Sequence, residues 1–227
     1  MFQTIINFFK SLFTKKQPVD QPQPAIENEE MITSKPPQDT IAPKPTIINH
    51  GSIVAPDYAY LCSIVKINSG TMEKNKATFA KMLANKSQYD QIAHVVNCDW
   101  QLVAAIHYRE ASLRPNVYLH NGQTLGQTTT IVPKGIFFPS GAFVEASIDA
   151  IKVRAKNVKG LAACCAMSEK HNGLGYRKHG VYSPYVWAST NIYTSGMYVA
   201  DGKFDATKSD SRLGTAAIYL CLAELTK

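Results

Sequence analysis

The sequence predicts a mainly helical α+β domain, and three observations carry that prediction. Apolar residues recur at helical spacing through long stretches of residues 74–225. One interval, residues 112–138, replaces that periodicity with turn residues, and residues 17–50 have a composition unable to build a core. With 227 residues, 45% apolar and 18% charged, the chain is long enough for one or two domains with a sizeable core. It holds no apolar run of about 18 residues, the length a membrane-spanning helix needs.

In chain order, Phe2, Ile5, Ile6, Phe9, Leu12 and Phe13 fall on one helical stripe with Lys10, Lys15 and Lys16 nearby. Residues 1–16 therefore read as an amphipathic helix, suited to a membrane surface or to docking on an assembly. The positive n-region and small-residue cleavage site of a signal peptide are not visible in it. Residues 17–50 hold seven of the twelve prolines among Gln, Lys and Glu, and read as a disordered linker whose burial cannot offset its ordering entropy. The folded domain is expected over residues 51–227.

Within that domain, Phe79, Met82 and Leu83 among lysines predict a basic helix over Lys74–Lys86, and Ile92, Val95 and Val96 a second over Tyr89–Val96. Asp99 is a candidate N-cap for a helix from Trp100 to about Ala111. Pro115, Asn121-Gly122, Gly126, Thr128–Thr130, Pro133 and Gly135 predict turns and short strands, a small β/loop lobe directly after that helix. Helices are expected again at Phe143–Val153, Gly160–Lys170, about Pro184–Tyr193 and Arg212–Leu225, separated by loops at Gly173, Gly175, Gly180 and Gly196. No internal repeat is present.

Charge and cysteine usage narrow the function classes. Residues 1–50 carry five lysines and five acids, so the net +7 belongs to the remaining 177 residues, with 19 basic and 12 acidic side chains. A basic domain suits a polyanion: nucleic acid, membrane or cell wall. The basic residues are dispersed over several helices without a recognition motif, which argues against nucleic acid. Five cysteines, with a vicinal pair at Cys164-Cys165 and no CxxC, exclude a secreted disulfide framework and read as buried thiols. No HExxH, Cys/His ligand spacing, P-loop or dinucleotide fingerprint occurs, so neither a metal nor a cofactor is expected.

The chemistry is expected at Glu110. Trp100, Val103, His107 and Glu110 share one helical face at three- and four-residue spacing, so a carboxyl group ends an apolar stripe where the turn-rich lobe begins. Desolvation there, reinforced by the negative end of the helix dipole, would raise its pKa and make it a proton donor to a leaving oxygen. On these residues alone, a structural Glu paired with Arg109, Arg114 or His107 is the simpler account.

The wider sequence reverses that balance. Ile106-His107-Tyr108-Arg109-Glu110-Ala111-Ser112 resembles the "IHxREAS" signature of a phage and bacterial lysozyme-like family. In the same order follow Leu119-His120-Asn121-Gly122 (family "LHNGD"), Val132-Pro133-Lys134-Gly135 ("VPxG") and Glu169 to Tyr176 ("ExYNGLGY"). Ser183 to Thr190 ("SPYVWAGT") and Tyr198-Val199-Ala200-Asp201-Gly202 ("KYVxDG") complete the series. The resemblance implies a lysozyme-like fold with a glycan cleft between a helical and a small β lobe. It implies peptidoglycan as partner, cleaved at the β-1,4 bond between N-acetylmuramic acid and N-acetylglucosamine, with Glu110 as general acid. It places the protein in a phage or bacterium, made in the cytoplasm and acting at the cell wall. The expected glycan-contacting residues are His107, Asn121, Gln123, Thr129, Asn172, Gly173, Tyr176 and Tyr185, whereas Trp187 reads as core.

Three positions depart from the pattern: Gln123 replaces the Asp of "LHNGD", His171 the Tyr of "YNG" and Met197 the Lys of "KYV". Gln123 removes the natural second carboxylate, which retaining and inverting glycosidases both require. Asp99 lies about 16 Å away along the helix axis, and Glu145, Asp149 and Glu169 are no obvious replacements. Three outcomes stay open. A lytic transglycosylase uses the sugar's own 6-hydroxyl; a hydrolase orients water with Gln123 and a hydroxyl of Thr128–Thr130; a wall-binding or virion structural protein keeps the fold without catalysis.

Overall fold

Residues 102–106 are Leu-Val-Ala-Ala-Ile, apolar all round, and a helix with no polar face is stable only when surrounded. That helix organises the domain. A computed structural model describes residues 55–227 of the protein, so the amphipathic helix expected at 1–16 and the linker expected at 17–50 lie outside the described residues. The described helices are α1 (Tyr58–Ile64), α2 (Thr71–Lys74), α3 (Lys76–Ala84), α4 (Lys86–Val96) and α5 (Trp100–Ala111). After the loop lobe come α6 (Phe143–Ile151), α7 (Leu161–Asn172), a 3-10 turn (Arg177–His179) and α8 (Pro184–Trp187). A hairpin of β1 (Met197–Ala200) and β2 (Lys203–Asp205) precedes the terminal α9 (Thr215–Leu225).

Helix α5 is the expected Trp100–Ala111 element, and Val103, Ala104, Ala105 and Ile106 are fully buried between α4 and α9. Asp99 has the extended backbone of an N-cap, but its side chain does not cap. Its Oδ2 instead accepts from Gly160 N–H at 2.7 Å and from the Tyr219 hydroxyl at 2.8 Å, tying the start of α5 to the start of α7 and the middle of α9. The helix stops where Ser112 and Leu113 turn left-handed and Ser112 N–H returns to the Tyr108 carbonyl.

The basic helix expected over 74–86 is divided. Asn75 and Asn85 bond the carbonyls of Thr71 and Lys81, four residues back, and these local bonds compete with continuation of the helix. The helix expected to run from Pro184 to Tyr193 is cut to α8, because Ser189 is left-handed and Thr190 folds back on the Trp187 carbonyl. Trp187, at 1% exposure, sits with Leu61, Cys165, Tyr185 and Tyr193 in the cluster joining α1, α7, α8 and α9.

The lobe after α5 forms, but without the expected strands: among the described residues its only pairing is the isolated bridge Val117↔Thr124. Side chains take over the backbone groups that strands would have paired. The Tyr118 hydroxyl accepts from Phe138 N–H at 2.7 Å and donates to the Gln127 carbonyl, and Asn116 Oδ1 accepts from Gly141 N–H. The two-stranded antiparallel sheet lies elsewhere, pairing Met197↔Asp205 and Tyr198↔Phe204 around the Asp201-Gly202 turn. The fold is thus mainly helical with one small sheet. Four of the five cysteines are buried, Cys62 is half-buried and all five are free. No described helix is long and apolar enough to cross a membrane.

Gly214 shows how closely α8 and α9 approach. A Cβ there would lie 2.4 Å from the Val186 carbonyl oxygen and 2.6 Å from Ala188 N, both backbone atoms that cannot rotate away. Gly214→Ala is therefore expected to cost about 1–3 kcal/mol by overpacking, read as a lower urea midpoint with an unchanged denaturant slope.

Candidate active site around Glu110

The site is built from the last turn of α5 outward. Consecutive residues Arg109 and Glu110 diverge: Arg109 turns toward Asp210 and Glu110 toward Tyr185 and His171. Arg109 Nη2 pairs with Asp210 Oδ2 at 2.9 Å, with the two side chains only 3% and 5% exposed, and Nη1 donates to the Leu213 carbonyl. Its guanidinium lies over the Tyr185 ring, 4.7 Å from the ring centre. Arg212 clasps Asp210 from the other side. Burial would push the Asp210 carboxyl up, but the two arginines overcome it and hold the group below its ordinary value.

Tyr185, thus held, donates its hydroxyl to Glu110 Oε1 at 2.7 Å. Burial and the neighbouring Glu110 charge raise Tyr185 well above its ordinary range, so it remains a proton-bearing donor. His171, at the end of α7, places Nε2 at 3.3 Å from the same oxygen. Among the described residues, Oε2 accepts no hydrogen bond, and the Glu110 side chain is 30% exposed.

The expected direction of the Glu110 pKa is corrected. Burial does push it up, as the apolar stripe implied, but hydrogen bonds from His171 and Tyr185 and the positive charge of Arg109 outweigh burial. The carboxyl sits below its usual value, and the resting group near neutral pH is a carboxylate held by two donors.

Several residues expected on the glycan prove to be occupied. His107 is 3% exposed: Nε2 donates to the Arg114 carbonyl and Nδ1 accepts from the Tyr89 hydroxyl, both at 2.9 Å. Burial depresses its pKa, so it is a neutral core histidine bracing the turn after α5, not a substrate contact. Thr129 is also buried at 3%, with its hydroxyl spanning the Pro133 carbonyl and Ile136 N–H. Gln123 is committed at both ends: Oε1 accepts from Thr130 and Ile131 N–H, and Nε2 donates to Thr130 Oγ1. A carboxylate has no N–H to give Thr130, so the amide at 123 acts as a loop clamp. Asn121 likewise bonds Gln123 N–H and the Ile131 carbonyl.

The remaining expected residues fall in three places. The Asn121-Gly122 turn passes beside the Glu110 backbone, where a Cβ on Gly122 would stand 3.8 Å from the Glu110 carbonyl oxygen. Asn172 is exposed at the end of α7, its amide 3.4 Å from Ser183 Oγ, and Gly173 (φ +100°) ends the helix there. Tyr176 joins Tyr198 and Phe204 of the hairpin in edge-on contacts. So Glu110, Tyr185 and the His171–Gly173 corner come together, the Asn121–Gln123 turn runs alongside, and His107 and Thr129 are withdrawn.

Other carboxylates are engaged elsewhere. Glu169 is 2% exposed and binds the Tyr58 hydroxyl and the Arg177 guanidinium; Asp149 binds His120 and Lys152. Among the described residues, no three His, Cys, Asp or Glu side chains gather as metal ligands would. A depression of about 270 Å³ lined by His94, Cys98, Trp100 and Lys159 lies at the opposite end of α5 from Glu110. The sequence offered no signal for Arg109–Asp210, whose partners are 101 residues apart. His171 was visible only as a departure from a motif.

No family model matches the chain, and no curated protein or solved structure matches it either.

Two outcomes test this geometry. Gln123→Ala removes three hydrogen bonds from the 128–131 loop, so the Thr130 and Ile131 amides should exchange with solvent at least about tenfold faster, roughly 1.4 kcal/mol of local opening. Because the folded protein holds the Glu110 carboxyl below its unfolded value, its contacts stabilise the fold above about pH 4.3 and are lost as pH falls through the lowered folded value. The stability gap between the wild type and Glu110→Gln should therefore be full at neutral pH and close in acid, measured by urea unfolding across pH.

Proposed function

We propose that the protein is a peptidoglycan-cleaving enzyme that acts on the β-1,4 bond after N-acetylmuramic acid, with Glu110 as its acid–base group. One observation carries this reading. A partly exposed carboxylate ends the central buried helix beside the loop lobe, with one oxygen held by two donors and the other open to a ligand. The ordered motifs around Glu110, Asn121, Asn172 and Tyr185 support the same substrate, and the basic charge of the domain suits an anionic wall.

The single carboxylate favours a lytic transglycosylase over a hydrolase. A hydrolase would need Gln123 or the threonines to orient water, yet the Gln123 amide and the Thr129 hydroxyl are spent on the loop. In the transglycosylase step, protonated Glu110 gives its proton to the glycosidic oxygen as the C1–O bond breaks. The resulting carboxylate takes the proton of the muramic 6-hydroxyl while that oxygen bonds C1, which closes a 1,6-anhydro ring and regenerates the acid. Tyr185 and His171 steady the anionic interval, and a glycan covering Oε2 excludes water and raises the carboxyl toward protonation. Residues 1–16, as an amphipathic segment, would hold the enzyme at a membrane or virion.

The full-length protein should release soluble fragments from purified sacculi, faster as pH falls below neutral because the acid form of Glu110 grows. Glu110→Gln should lower release by about 10³-fold, within the usual range for losing one acid–base group, and mass spectrometry should find 1,6-anhydro ends. Reducing ends would make it a hydrolase. Retention on sacculi without release at any pH would favour the non-catalytic wall-binding or virion structural role.

A further inference from the structure

His171 stands where the resembled motif has Tyr, and the contacts of its two ring nitrogens point to one tautomer. One nitrogen, Nε2, faces Glu110 Oε1 at 3.3 Å; the other, Nδ1, lies 3.3 Å from Arg154 Nη1. A guanidinium only donates, so Nδ1 must present its lone pair to Arg154, which leaves the imidazole proton on Nε2, aimed at the carboxylate. A second proton on Nδ1 would point at a fixed positive charge. The ring is itself set by Tyr185, 6.2 Å away between ring centres.

We propose that His171, locked by Arg154 as its Nε2–H tautomer, is a positioning residue that fixes Glu110 Oε1 and leaves Oε2 to carry the transferable proton. Two donors on one oxygen make the carboxyl oxygens chemically unequal: Oε1 has its lone pairs engaged, while Oε2 alone is free to gain and lose a proton. The groups facing Glu110 from its surroundings are Arg109 on α5, His171 on α7 and Tyr185 on α8, with Arg154 behind His171 and Asp210 and Arg212 behind Arg109. The inference rests on the muralytic reading for its catalytic meaning, but the contact is measurable without it.

The test uses the full chain and three variants. His171→Leu removes the donor, His171→Gln keeps an amide donor near the Nε2 position, and Arg154→Met removes the lock. Nitrogen NMR of the wild type should show the Nε2–H tautomer, and Arg154→Met should admit the other tautomer or the imidazolium. Carbon NMR of the Glu110 carboxyl should move its titration up by about one pH unit in His171→Leu, the size expected for losing one charge-directed hydrogen bond. His171→Gln should restore most of that change. In the release assay His171→Leu should lose at least about tenfold in kcat with KM within about twofold, and its alkaline limb should move upward. An Nδ1–H tautomer in the wild type, or an unmoved Glu110 titration in His171→Leu, overturns the inference. An active wild type whose kcat survives His171→Leu also overturns it while leaving the muralytic reading intact. An inert wild type defeats the muralytic reading instead, and the NMR results then decide the inference.

Discussion

The buried ion pair between Arg109 and Asp210 is the constraint on which the site depends. Two charges nearly without solvent are costly unless other groups compensate them, and here Arg212, the Leu213 carbonyl and the Tyr185 ring share that work, while Arg109 Nε is buried without a hydrogen-bond partner. The pair binds the end of α5 to the segment that leads into α9. It also props the ring whose hydroxyl reaches Glu110. The functional side chain is therefore held through its sequence neighbour: Arg109 anchors inward, and Glu110 is presented outward on the same helical turn.

That arrangement changes the chemistry that an apolar stripe suggests. Desolvation alone would leave Glu110 a ready acid, but two donors and a nearby guanidinium favour its anion. On the proposed reading, a carboxylate poised this way is set for the anionic half of a reaction and relies on substrate closure, or on acidic surroundings, for the protonated half. Glu169 is engaged with Arg177 and Asp149 with His120, so neither is free to serve Glu110 as a second carboxylate. That engagement is the ground for proposing chemistry that needs only one carboxylate.

Much of the fold was legible where a pattern repeats locally. The Trp100–Ala111 helix, its neighbours α4, α6, α7 and α9, and the break into a turn-rich lobe all follow from apolar spacing and from clusters of Gly, Pro and Asn. The hairpin at 197–205 was not foreseen: Gly196 reads as loop, although Asp201-Gly202 is a hairpin-type turn dipeptide. The lobe's missing strands were not legible. Whether a threonine hydroxyl or a glutamine amide takes a backbone partner depends on which carbonyl folds back beside it, as Pro133 does for Thr129 and the Thr130 amide for Gln123.

The sequence by itself determined the helical character, the separation of a neutral N-terminal region from a basic domain, and the placing of a carboxylate at the end of an apolar helix. Spacing and composition are local properties, and each of these follows from them. Only the tertiary structure decided that His107 is a core brace, that Gln123 is a clamp, that Arg109 turns inward, and that His171 and Tyr185 meet Glu110 on one oxygen. Those outcomes join residues 7, 61 and 75 positions from their partners. Whether a polar side chain serves structure or chemistry depends on which partner occupies its last free hydrogen-bonding site, and chain folding alone supplies that partner.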